Sequence, residues 1–551
     1  MANLIRQPSD EGVIHTAPDT VPCTREVGRW VLVATILGSS MAMIDGTAVN
    51  VALPVLQKSL NATVAEVQWI AEAYALFLAA LILVGGSLGD LFGRRRIFAI
   101  GVALFAVASA GCGLSQNTTQ LILTRAIQGI GGALMIPGSL AMISTTFSKE
   151  QRGQAIGTWS GFTVITGALG PVLGGWLVEH VSWRGVFFLN VPLAIIVLGI
   201  LLWRVPENRD ETLKGKPDWW GALLVTLGLS ALVYGLITAS DLSLSHPVVL
   251  GSLVVACIVL MAFLLREARS QTPMVPLSLF RSQTFSGANI FTLLLYAAFG
   301  GILFFFPFDL IQVQGYSATE AGAALLPLIL ITFLLSRWSG GLVNRYGAKL
   351  PLVLGPIIAA LGLALYAWPT VGGSYWTTFF PAVVVQGLGV AITATPLTTT
   401  VMGAVESAHA GLASGINNAV ARTAALLSVA VLSIVFLSVF AGSLNSHLAP
   451  LEITPEIRQQ LAAQQTKLAG IQIPMTVSSQ TRVALERAIT ESFVASFRTV
   501  VSIAVGLTLA SALTAWLTIR GPGTVGREGE EQWGDDEKKD SSALEEGQAA
   551  Q

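Results

Sequence analysis

Charge is what this 551-residue chain has least of: Asp, Glu, Lys and Arg make up 11% of it, against a hydrophobic share of 53% and a mean hydropathy of +0.68. Soluble globular chains carry roughly a quarter charged residues, so a soluble core is excluded at the outset. The charges balance to a net of −1, which offers no basic face to nucleic acid. Cysteine is nearly absent. Cys23 stands in a polar N-terminal stretch and Cys112 and Cys257 in apolar runs, which argues against a disulfide framework or a cysteine metal site. Five scattered histidines, without a His-Glu-x-x-His pair, a nucleophile elbow or a phosphate-binding loop, argue against an enzyme, a metal or cofactor, and ATP coupling. Residues 1–28 lack the short apolar core and cleavage site of a removable signal peptide, so the first apolar segment is expected to direct insertion itself.

What the chain has in abundance is long apolar runs. A spanning helix needs about 20 such residues, and fourteen runs qualify. They fall at 29–54, 67–88, 97–115, 120–143, 154–178, 184–203, 219–239, 247–266, 285–308, 318–338, 350–368, 377–402, 411–440 and 494–519. This predicts an all-α polytopic membrane protein. With the N-terminus placed inside, Arg94, Arg95, Arg96, Lys149, Arg152, Arg204, Arg209, Lys214, Lys216, Arg266, Arg269, Arg281, Arg337, Arg345 and Lys349 fall in inner loops, and only Lys58 and Arg184 in short outer ones. Both termini are therefore expected in the cytoplasm.

The second half echoes the first. "GGSLGDLFGRRR" returns as "GGLVNRYGAKL", Gly86 matching Gly340 at an offset of 254 residues; "QGIG" at Gln128 returns as "QGLG" at Gln386, offset 258. An offset of eight segments makes two six-helix bundles, 29–203 and 284–519, with two helices inserted between them in 204–283. A cytoplasmic tail (1–28), an outer loop within the second bundle (442–492) and an acidic tail read as disordered (520–551) complete the division.

Several motifs carry a family resemblance across most of residues 29–519. Gly86 to Arg95 is similar to the signature between helices 2 and 3 of the major facilitator superfamily, "LTRAIQGIGG" resembles its helix 4 motif, and "GALGPVLGG" the antiporter motif of helix 5. "IDGTAVNVALP", "WRGVFFLNVP" and "PMVPLSLF" resemble motifs of its fourteen-helix drug:proton antiporters, the EmrB/QacA type. The resemblance implies proton-driven export of amphipathic or drug-like molecules across the inner (cytoplasmic) membrane by alternating access. The proton gradient then supplies the energy and no cofactor is needed. Two rivals stand beside it. One is a dedicated exporter of one lipid or metabolite; the other is a non-transporting membrane sensor, which the acidic tail allows and the intramembrane charges argue against.

Intramembrane charge is costly, so each such residue is a candidate. Asp45 lies about nine residues, roughly 14 Å, from the outer end of segment 1, and Arg125 about five residues, roughly 8 Å, into segment 4 from the same side. In the resembling family those helices line the central cavity, which would let the two meet as the proton-coupling pair; a static pair fixing helix packing is the alternative. The 258 offset sets Val383 opposite Arg125, so the second bundle does not repeat the charge. Glu72 and Tyr74 on segment 2, Asp309 on segment 9, and Asn417 and Arg422 on segment 13 are candidates for the substrate cavity. Glu72 and Asp309 could instead snorkel to the interface, and Arg422 could be a clamp between helices.

Two motifs concern conformational change. In the first turn Gly86 and Gly93 permit a sharp bend, and Asp90 stands beside Arg94 and Arg95, which makes a latch or, more simply, a topology signal. In the second, Gly170, Gly174 and Gly175 allow close helix approach and Pro171 removes a backbone hydrogen bond. The resemblance implies an interface that opens and closes during transport. The outer loop is expected to contain an amphipathic helix in "EITPEIRQQLAAQQTKLAG"; it covers the exit, meets a periplasmic adaptor, or only connects.

Overall fold

The computed structural model describes residues 25–147, 149–207, 218–270, 273–372, 374–405, 410–474 and 477–519. The expected acidic tail, the first 24 residues of the expected N-terminal tail, and Arg209, Lys214 and Lys216 lie outside them. The first half comprises α1 (Arg25–Leu60), α2 (Val64–Phe92), α3 (Arg94–Leu114), α4 (Thr118–Thr146), α5 (Lys149–His180) and α6 (Trp183–Arg204, interrupted at Leu189). Then come α7 (Trp219–Leu242) and α8 (Pro247–Arg269). The second half comprises α9 (Gln283–Phe308, continued by a π turn Asp309–Val313), α10 (Ala318–Ala323 and Leu326–Tyr346), α11 (Lys349–Leu365), α12 (Tyr375–Gly403), α13 (Ala410–Leu448) and α14 (Ser479–Thr518).

Thirteen of these are long and apolar enough to cross a membrane, and α11 is a shorter apolar helix. At 17 residues it spans roughly 26 Å, close to the hydrocarbon thickness. Helix ends are fixed by local chemistry: Thr63 and Glu66 form a capping box at the start of α2, and Asn117 and Asp218 cap α4 and α7. Large apolar side chains such as Val107, Ile258 and Trp203 point outward, as a lipid-facing surface requires. The chain is a multi-pass membrane protein.

The helix pairings of the first half recur eight helices later. α1 packs on α4, α5 and α6, α4 on α2 and α3, and α3 on α6; α9 packs on α12, α13 and α14, α12 on α10 and α11, and α11 on α14. Local details follow the same repeat. Gly93 (φ +102°) and Gly347 (φ +75°) both turn the chain with a left-handed backbone that favours glycine, and their amides donate to the equivalent carbonyls of Gly89 and Val343. Cys112 meets Gln128 at 3.7 Å where Tyr366 donates to Gln386 at 3.0 Å.

The α7–α8 pair sits beside this repeat. Val233 and Ile237 of α7 pack into a cluster with Ala65 and Leu76 of α2 and Leu426 and Ala430 of α13, so α7 covers a seam between the halves.

We call distal the end that carries the α1–α2 loop. There the halves are joined. Glu179 of α5 accepts from the Thr319 amide at 3.3 Å and hydroxyl at 2.5 Å, and Gln312 of the π turn donates to Gln57 of α1 at 2.9 Å. The loop after α13 crosses the same place: Lys467 Nζ donates to Asn61 at 2.6 Å and its carbonyl accepts from Gln57 at 3.3 Å. That loop is shorter than residues 442–492, because α13 runs to Leu448 and α14 starts at Ser479. Helix α14 starts early on the helix-forming Gln480, Arg482, Glu486 and Arg487, whereas α13 runs on through Ser443, Asn445, Ser446 and His447. The expected amphipathic helix is a short one, Pro455–Ala462, followed by a 3-10 turn Gln465–Gly470.

Candidate functional site

Asp45 and Arg125 meet inside the first bundle, both essentially without solvent exposure. Arg125 Nη1 stands 2.5 Å from Asp45 Oδ2 and also donates to Gln128 Oε1 at 2.8 Å. Its Nε donates to the Ile70 carbonyl of α2 at 3.0 Å. The guanidinium lies 4.4 Å from the centre of the Tyr74 ring, a cation–π contact that stands in for water on that face. The other carboxylate oxygen, Oδ1, accepts from Gln128 Nε2 at 2.8 Å and from Asn190 Nδ2 of α6 at 3.2 Å. Asn190 is steered in turn by Ser109 of α3 at 3.0 Å, whose hydroxyl donates to the Phe187 carbonyl at 2.8 Å.

Side chains of α4 and α6 therefore hold one carboxylate of α1, with α2 and α3 supporting them from behind. Such a pair is tolerated at membrane depth because the charges cancel and both carboxylate oxygens are hydrogen-bonded, although the buried Asn190 Oδ1 is left unpartnered. A proton on either oxygen would displace a donor, so the site has two chemically distinct arrangements. Gln128 and Asn190 were not among the residues expected here; each sits in a motif that drew attention for other reasons. In the second bundle Gln386 meets Tyr366 rather than a charge.

The remaining candidates are scattered. Glu72 is buried, 5% exposed, with Oε2 unpartnered, and both polar atoms of Gln68 one turn earlier are unpartnered as well. Asp309 is 2% exposed at the start of the π turn. Neither snorkels, contrary to the alternative raised for them: α2 and α9 are covered there by neighbouring helices. Asn417 is buried against α9 and donates to Thr292 at 2.8 Å and Asn289 at 3.2 Å, the position of a helix clamp. Arg422, one and a half turns on, is partly exposed. Tyr74 belongs to the Arg125 site.

At the α2–α3 turn the cations Arg95 and Arg96 meet Glu207, which follows α6, with N–O separations of 3.8 and 3.5 Å. Glu207 also accepts from the Arg95 amide at 3.2 Å, and Arg95 reaches the Val205 carbonyl at 2.7 Å. The carboxylate thus caps α3 from the end of α6, a partner that the sequence did not single out. The Asp90 side chain, and that of Asn344 in the repeat, lie outside the described residues. Gly86 is half-buried beside Pro137 of α4, and Gly89 is buried beside Arg94.

The α5 glycine motif serves two interfaces. A Cβ on Gly170 or Gly174 would strike Thr47 or Ala48 of α1, the turn that carries Asp45. A Cβ on Gly175 would fall on the Ala318 carbonyl of α10, and one on Gly322 on the Pro171 carbonyl of α5. Helix α5 is thereby in backbone contact with the ion-pair helix on one side and with the other half on the next.

Similarity to known proteins agrees with this architecture. Residues 35–429 match the family model described as Major Facilitator Superfamily. The chain is 36% identical over 432 residues to the tetracenomycin C resistance and export protein of Streptomyces glaucescens, covering 78% of this chain and 79% of that one. It is 34% identical over 440 residues to the multidrug resistance protein Stp of Mycobacterium tuberculosis (78% and 80%), and 33% identical over 418 residues to the methylenomycin A resistance protein of Bacillus subtilis (75% and 88%). Among solved structures, a bacterial homologue of the human lysosomal transporter Spinster, inward-facing and unoccupied, superposes with a TM-score of 0.62 at 17% identity, covering 91% of this chain and 100% of that one. With twelve of its fourteen described helices in two repeating sets and a match over most of its length, the chain belongs to the Major Facilitator Superfamily and is a membrane transporter, not an enzyme.

Proposed function

We propose that the chain exports amphipathic, drug-like small molecules across the cytoplasmic membrane in exchange for protons, by alternating access, with both termini in the cytoplasm and the distal end outside. The observation that carries this reading is the Asp45–Arg125 pair, a buried charge site in one half of an otherwise repeated scaffold. A purely structural pair gains nothing over apolar packing, whereas a proton carrier must be a group whose partners can change. The relatives named for drug and antibiotic resistance supply the substrate class.

The proposed coupling follows the contacts. Protonation of Asp45 loosens Arg125, Gln128 and Asn190 and lets the surrounding turn of α1 shift. That turn is held by Gly170 and Gly174 of α5, and α5 meets α10 through Gly175. A change at Asp45 therefore reaches the distal seam within one helix. The seam, Glu179–Thr319 and the Lys467 strap would be closed in the state seen here and would part in the outward-open one.

Reconstituted protein in liposomes, screened with lipophilic cations, neutral lipophiles and aromatic acids, tests this. Substrate-driven proton movement present in the wild type and lost in Asp45→Asn is the expected result. Uncoupled flux, or coupling retained in Asp45→Asn, would refute it. Two relatives are named for a single compound each, which favours a second, narrower reading: export of one metabolite. Flux restricted to one scaffold in the screen would select it.

A further inference from the structure

Arg422 has no obvious partner for its charge. It lies about twelve residues, roughly 18 Å, into α13 from Ala410. It makes no hydrogen bond or ion pair with another described residue, and it is partly exposed. The phenols of Tyr74 on α2 and Tyr296 on α9 are within its electrostatic reach. Its face of α13 is turned inward. Ala425, beside it, touches Gly300 of α9, and Leu426 packs with α2 and α7. Asn418, one turn earlier, is exposed on the same side, and Tyr296 is 40% exposed.

A guanidinium at this depth must be met by water or by a ligand, because leaving it dry and unpaired is far too costly. The contrast with Arg125 is instructive. Arg125 is consumed by Asp45, Gln128 and a backbone carbonyl, whereas the planar donor fork of Arg422 is unspent.

We infer that Arg422 recognises the substrate, donating to an anionic or strongly accepting oxygen, a carboxylate, enolate or phenolate, on an aromatic scaffold that rests against Tyr296. This deepens the export reading and rests on it. Tyr74 stacks against the Arg125 guanidinium and is also within electrostatic reach of Arg422, so an acceptor bound at Arg422 changes the field at the Asp45 site through one shared ring. Permanent cations are disfavoured at the same place by repulsion.

Binding of three matched probes to the purified full chain in detergent tests the inference: anthraquinone-2-carboxylate, its carboxamide, and a trimethylammonium analogue. The wild type should bind the carboxylate about tenfold more tightly than the amide, the ammonium compound most weakly. Arg422→Gln should remove the preference while its affinity for the amide stays within about twofold of wild type, and Arg422→Lys should restore part of it. An unchanged preference in Arg422→Gln overturns the inference, as does a wild type that binds all three equally or favours the cation. Loss of amide binding together with thermal stability would make Arg422 a structural clamp and overturn it too. Arg422-dependent binding without transport of the carboxylate into liposomes would leave recognition standing and sink the export reading instead.

Discussion

Truncating Arg125 to methionine strands the Asp45 carboxylate in a dry site. Removing one partner of a buried pair costs about 3–5 kcal/mol, so Arg125→Met should show a markedly lower unfolding temperature and poor recovery from membranes. Asp45→Asn should be milder. Its amide oxygen still accepts from Arg125, and Asn190, whose own amide oxygen is unpartnered, can rotate to offer that oxygen to the new NH2. The two variants thus separate stability from coupling, because Asp45→Asn is expected to fold and bind substrate yet exchange no proton. At Glu207, partly exposed and paired with the half-buried Arg95 and the exposed Arg96, Glu207→Gln should cost at most about 1 kcal/mol in a denaturation assay. Asp45 and Arg125 were legible in the sequence because charge is rare in such segments. Gln128, Asn190 and Ser109 were not, since neutral polar residues are common in membrane helices and nothing in spacing tells which ones converge from α3, α4 and α6. Glu207 was hidden among the ordinary charges that follow a spanning helix.

Helix α5 shows how one element ties two events together. Gly175→Val places a branched side chain on the Ala318 carbonyl, and a distal seam that cannot close should shift the protein toward the distal-open form. Thiol labelling of a reporter cysteine at Gln57 checks this, with faster labelling expected in Gly175→Val than in the glycine background. The strap should behave the same way on a smaller scale: Lys467→Ala removes one exposed contact to Asn61 and should raise the same labelling rate modestly. The spanning segments themselves were readable from length and hydropathy. Their ends were not, since α13 and α14 extend through polar residues well past the apolar windows. The π turn at Asp309 and the left-handed Leu468 also escaped, because both are imposed by packing at the distal end rather than by local sequence.

At the scale of the whole molecule, two bundles repeat in helix pairing while the charge site does not, an asymmetry already visible in the offset that sets Val383 opposite Arg125. The position of α7 could not be read that way. Its apolar run says only that it spans, whereas the structure lays it over the α2–α13 seam. If the halves rock about a central site, tying them at the distal end should stop transport. A Glu179→Cys/Thr319→Cys pair in a background without the three native cysteines, bridged by a short reducible bis-thiol reagent, should lose transport and regain it on reduction. In the proposed cycle Asp45 exchanges its proton with substrate. The most direct test of this exchange is proton release from purified protein in weakly buffered detergent on addition of a transported compound. The account predicts about one proton per wild-type molecule at saturation and none from Asp45→Asn that still binds the compound; equal release from both proteins would contradict it.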